Sequence, residues 1–158
     1  MNEPNPEFYE NDDATLIGPA NKIALGSVTR GTVAEPTGAG KKPVHLWNDK
    51  GGGTLKAMEL VRVGVKDLSG GDAGEFIAGT ALNGSQPFYE CRSYGASGCP
   101  DDGQGSFVPI GGTTWRAIGD IPANARRSLH VRCSVPADAT VGAGQISGRL
   151  VVAYTYTP

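Results

Sequence analysis

Histidine and cysteine are scarce in this chain, with two of the first and three of the second. A zinc site draws on Cys and His at short local spacing. His45 and His130 stand far apart, and the sequence holds no Cys-x-x-Cys and no His-x-x-x-His. No metal or other cofactor is expected, and no cysteine nucleophile, since that chemistry needs a histidine beside a partly exposed thiol. Cys91, Cys99 and Cys133 are too few and too odd for a disulfide framework. A Cys91 to Cys99 bridge across "CRSYGASGC" stays open, because spacing alone does not bring two Cβ atoms together.

Long apolar runs are missing too. None approaches the roughly 18 residues of a membrane-crossing helix, and the opening "MNEPNPEFYENDD" is acidic where a signal peptide is basic and then apolar. Synthesis in the cytoplasm, with no membrane partner, is the expectation. Net charge is -2 with no long basic cluster, so nucleic acid is not an expected partner either. No segment sustains a helical apolar period over three turns.

What is present is turn chemistry. The 24 glycines and 11 prolines exceed one residue in five, against about 12% in average proteins, and they punctuate short apolar runs. "NDKGGG", "LSGGDAG", "LNGS", "PDDGQG", "IGGT" and "PADATVGAG" supply Gly, Asn or Asp where positive φ or side-chain capping is needed. Two-residue alternation between them predicts strands over Lys22–Ser27, Val44–Asn48, Leu60–Lys66, Pro87–Arg92, Ser106–Ile110, Leu129–Val135 and Gln145–Tyr156. In the sixth, Cys133 alternates inward with Val131 and Val135, so its thiol is expected to be buried and inert. The seventh is long and apolar and is expected at the centre of its sheet. Single turns are expected at Pro122–Arg126 and Pro136–Ala139.

The expected fold class is all-β: an antiparallel immunoglobulin-like β-sandwich over residues 22–158, with a jelly roll as the alternative. Residues 1–21 carry three prolines and a cluster of acids. They read as an extended acidic N-terminal arm lacking the apolar area to fold alone. Phe8 and Tyr9 are its expected anchors on a neighbouring chain, and deleting residues 1–15 is expected to leave the sandwich folded.

Several motifs invite a sharper reading and do not support it. "TGAGKKP" resembles a phosphate-binding loop, but Glu35 sits at the first glycine position, Lys42 at the hydroxyl position, and "VHLWN" after it reads as a strand instead of a helix. The acidic pairs Asp12–Asp13 and Asp101–Asp102 fall in turn-like segments and lack the pattern of a calcium loop. Trp47 and Trp115 have no interleaved basic stripe, so core or interface positions are expected.

At "IALGSVTRGTVAEPTGAGKKPVHLWNDKGGG" the chain resembles the opening of immunoglobulin-like structural domains, the matching residues being Leu25, Gly26, Val28, Gly31, Leu46, Asn48, Gly51 and Gly52. "IGG", "IGDIPA", Arg132–Ala139 and the last strand Leu150–Tyr156 resemble the C-terminal half of small virion proteins of tailed bacteriophages. That resemblance implies a non-enzymatic structural protein of a phage particle, located in the virion. It would decorate or cement the capsid through its loops and arm, with the major capsid protein or other virion proteins as partners and homo-oligomers as a further option. Phe8, Tyr9, Tyr94 and Trp115 are the candidate partner-binding residues. A tail or baseplate protein is the alternative; a carbohydrate- or receptor-binding module with a calcium loop at Asp101 and Asp102 is the alternative from another class.

Overall fold

The computed structural model describes residues 2–72, 77, 88–93, 106–139 and 147–158. Nine strands run through them: β1 Pro6–Glu10, β2 Thr32–Ala34, β3 Val44–Asn48, β4 Met58–Lys66, β5 Phe88–Ser93, β6 Val108–Pro109, β7 Arg116–Ile121, β8 Arg126–Val135 and β9 Arg149–Thr155. They form two antiparallel sheets, a larger one ordered β1-β3-β8-β5-β6 with β2 also on β8, and a smaller one ordered β7-β4-β9. The molecule is an all-β sandwich.

The long strand β8 organises the larger sheet. Along one edge it takes β3 on its first half, with Val44 opposite Leu129, and β2 on its second half, with Ala34 opposite Cys133. Its other edge pairs with β5. Between β2 and β3 the chain leaves the sheet through a loop that includes a 3-10 turn at Ala39–Lys41. The strand after "TGAGKKP" is therefore β3, within its expected bounds.

The core lies where the inward residues of both sheets meet: Val44 and Leu46 from β3, Val61 and Val63 from β4, Leu129 and Val131 from β8. A smaller cluster of Ala34, Cys133, Val135 and Ala139 extends it beneath Leu25 and Val28. Asn48 ties the sheets together at one end. Fully buried, its side-chain amide donates to the carbonyls of Lys56, at 2.9 Å, and Ile121, at 3.1 Å. The turn after it uses Asp49 and Gly51, both at positive φ, where Asp and Gly are tolerated.

Three expectations need correction. Lys22–Ser27 is not a strand: Gly26 at φ 67° breaks the pleat, and Leu25 and Val28 pack on the smaller cluster without joining a ladder. The last strand does not sit centrally: among the described residues, β9 is the terminal strand of its sheet. The N-terminal segment is extended, as expected, but it is part of its own sandwich. Residues Pro6–Glu10 pair with Asn48–Val44 in unbroken register, and Phe8 packs against the core. Pro6 occupies the first strand position, where a missing N–H is tolerated. Upstream, Asn2 accepts from Thr54 Oγ1, Pro4 from Tyr154 Oη and Asn5 from the Asp49 N–H, so the first residues strap the two sheets. The expected turns at Pro122–Arg126 and Pro136–Ala139 are present, closed by bonds from Ala125 N–H to Pro122 and from Ala139 N–H to Pro136.

Candidate functional site

Side chains that alternate away from the core give each sheet an outer face. On the larger sheet, His45, Ser128, His130 and Arg132 lie on that face of β3 and β8. Both histidines are almost fully buried, at 4% and 3% exposure, because two loops fold over them.

The first loop is the turn after β1. Asp12 accepts from the Ala14 and Thr15 N–H groups and the Thr15 hydroxyl, which hold its carboxyl well below the usual range, at about 2. With Asp12 fixed, Asp13 takes a left-handed conformation at φ 56° and turns its carboxylate over the sheet. There it accepts from His45 Nδ1 at 2.6 Å, from Trp47 Nε1 at 2.7 Å and from the Arg126 guanidinium. Tyr9 and Trp47 lie beside this cluster with the Lys50 ammonium 4.9 and 5.8 Å from their ring centroids.

The second loop leaves β2 at Ala34 and brings Glu35 onto His130 Nε2, with Lys42 3.8 Å from the same carboxylate. Phe107 meets His130 edge-on at 4.9 Å between centroids. Over the Phe107 ring lie Arg132 at 3.5 Å and Arg92 at 5.0 Å, and Arg132 Nε also donates to Glu90 at 2.7 Å. Desolvation pushes both histidine pKa values below the ordinary range. Asp12 opposes this at His45, and Glu35 opposes it at His130, where Lys42 and Arg92 reinforce it.

Glu35, His130 and Ser128 are the residue types of a nucleophilic triad, and the geometry does not assemble one. Among the described residues, neither the buried Ser128 Oγ nor His130 Nδ1 has a hydrogen-bond partner, whereas a triad serine bonds its histidine and reaches solvent. The Glu35–His130 and Asp13–His45 pairs instead fasten two loops to the sheet.

The smaller sheet carries a different surface. Trp115 lies against Gly64, where a Cβ would come within 2.7 Å of the ring. Its ring has Arg62 at 5.1 Å and Lys66 at 5.4 Å; Arg62 is exposed and Lys66 pairs with Asp72 at 2.6 Å. Next to it is a shallow depression of about 270 Å³ lined by Leu60, Arg62, Ala153, Tyr154 and Thr155. Leu60 is 75% exposed at φ 51°, a conformation a bulky side chain rarely takes, where the β4 register shifts.

The four candidate residues thus separate. Phe8 faces its own core, Tyr9 the outer face of the larger sheet, and Trp115 that of the smaller. Tyr94, Asp101, Asp102 and Cys99 lie outside the described residues. Cys91 and Cys133 are free, buried thiols, each pushed up to about 12 by burial. Sequence reading missed Asp13 and Glu35 as partners of the histidines. No local signal joins positions 32 and 95 residues apart.

Among the described residues, no helix is long and apolar enough to cross a membrane and no group of three or more His, Cys, Asp or Glu is placed to hold a metal ion. Comparison of the chain with protein-family models, with curated proteins and with solved structures returns no significant match.

Proposed function

We propose that this protein is a non-enzymatic structural subunit of a bacteriophage particle, which decorates or cements the capsid by docking the outer face of its smaller sheet on another virion protein. The observation that carries the docking reading is the Trp115 platform. A tryptophan held flat by Gly64, with an exposed arginine on its ring and a shallow depression beside it, has the composition of an interface anchor. An open sheet face with a shallow depression suits a broad protein surface better than a small enclosed substrate. The capsid assignment draws its support from the resemblance of "IGG", "IGDIPA" and the last strand to small virion proteins.

The test is attachment. Purified protein is added to particles that lack it, and occupancy is compared for wild type and Trp115→Ala. The expected result is saturable attachment that Trp115→Ala weakens at least tenfold, the scale of an aromatic anchor. Equal attachment of both forms would remove the platform from the interface, and no attachment of the wild type would remove the capsid reading.

A further inference from the structure

A β-sheet edge presents unpaired N–H and C=O groups, and soluble proteins protect it with short strands, proline, bulges or a covering loop. Among the described residues five strands lie at an edge of this sandwich, and four of them carry such protection; one of the four, β2, is only three residues long. The larger sheet ends on one side in β6, two residues long and closed by Pro109. On its other side β1 is covered by the chain that follows, through Glu10 N–H to Thr15 and Ile17 N–H to Phe8. The smaller sheet ends on one side in β7, whose pairing with β4 is broken by two register shifts, with Gly119 opposite Val61.

The fifth edge is β9, and it differs in kind. It has seven residues, "RLVVAYT", with no proline and no lysine. Its register with β4 is continuous from Arg149 to Ala153. Among the described residues, its backbone pairs with β4 alone. It reads as a central strand, yet it lies at an edge.

The geometry specifies which groups are free. Val65 gives its N–H to Ile110 at 2.9 Å, so that N–H points away from β9 although Val65 stands opposite Leu150. Backbone direction alternates along a strand. Arg149, Val151 and Ala153 therefore bond to β4, and Leu150, Val152 and Tyr154 turn their N–H and C=O groups outward.

We propose that the protein self-associates through β9, which pairs antiparallel with β9 of a second copy about a twofold axis at Val152. That register sets Val152 opposite Val152 as a hydrogen-bonded pair, Leu150 opposite Tyr154, Val151 opposite Ala153 and Arg149 opposite Thr155. Every pair is apolar or uncharged on one side, and no like charges meet. The core-facing Leu150, Val152 and Tyr154 would stack on their counterparts, joining two three-stranded sheets into one. A twofold contact of this kind is closed and self-complementary, so association stops at the dimer. The dimer does not depend on the capsid assignment.

Sedimentation velocity over a dilution series, with hydrogen exchange on the same samples, tests this. The wild type should form a reversible dimer, and the amides of Leu150, Val152 and Tyr154 should exchange at least tenfold more slowly at the dimeric end. Val151→Lys/Ala153→Lys sets lysine opposite lysine twice across the axis and should give a monomer. Val151→Lys/Ala153→Glu changes the same two outer positions but sets lysine opposite glutamate, and should restore the dimer. A wild type that stays monomeric at its highest soluble concentration would overturn the proposal. So would a dimer in which those three amides exchange as fast as in the dilute sample, or one that the double-lysine variant leaves intact.

Discussion

Deleting residues 1–15 should unfold this protein or bring it close to unfolding. The deletion removes β1 and with it five backbone partner positions on β3. Phe8 leaves the core; full burial of a phenylalanine is worth about 3 to 5 kcal/mol on truncation, and for this half-buried ring about 2 kcal/mol is expected. Thr54 Oγ1 and Tyr154 Oη lose their acceptors on Asn2 and Pro4, at about 1 kcal/mol each. Loss of Asp13 leaves the Trp47 N–H, His45 and Arg126 without their shared carboxylate. Breaking a buried pair costs about 3 to 5 kcal/mol, and the partial exposure of Asp13 and Arg126 lowers this to roughly 1 to 3 kcal/mol. The loss is then at least about 5 kcal/mol, against a typical total stability of about 5 to 15 kcal/mol. At roughly 2 to 4 °C per kcal/mol for a domain of this size, the melting temperature should fall by more than about 10 °C, or the cooperative transition should vanish. Differential scanning calorimetry of both proteins decides it. A truncated protein that melts within about 2 °C of the full chain would return the segment to the role of a dispensable arm.

Cys91 and Cys133, buried and held neutral to about pH 12, should resist a thiol reagent at pH 8 in native protein and react at once in urea; prompt native labelling of either would contradict the packing. Stability should fall as pH drops. The folded-state pKa of His45 and of His130 lies below the unfolded value of about 6.5, so the unfolded chain binds more protons in acid. The histidine contribution is complete above that value and is lost as pH falls through and below it. Urea midpoints between pH 7.5 and 5 measure the slope, which His130→Gln should reduce; a slope of the opposite sign would show that the carboxylate partners outweigh desolvation. Gly64→Ala should displace Trp115, whose ring leaves no room for a Cβ, at a cost of about 1 to 3 kcal/mol, seen as lost near-ultraviolet circular dichroism and a changed tryptophan emission.

What could be read from the sequence was whatever depends on neighbours along the chain. The alternation that turns Leu129, Val131, Cys133 and Val135 inward also turned His130 and Arg132 outward, and the structure keeps both sets. Gly-rich turns ended β3 where expected. Failures came from contacts between distant segments. Residues 6–10 alternate as Phe8 in, Glu7 and Tyr9 out, but two prolines and the acids around them masked a strand whose partner lies about 40 residues later. Asp12 and Asp13 looked like a solvated pair; in the fold one caps the turn that aims the other at His45. Trp115 could be named, but not its platform, because only the structure sets it against Gly64 between Arg62 and Lys66.

The proposed role as a structural part of a phage particle is tested by the stoichiometry of the chain in purified particles, measured by quantitative mass spectrometry against the major capsid protein. The protein should stay with the particles through density-gradient purification, in a copy number that is a fixed symmetry fraction of the capsid protein's. Absence from the particles, or a copy number too small for any repeated site on the capsid, would contradict it.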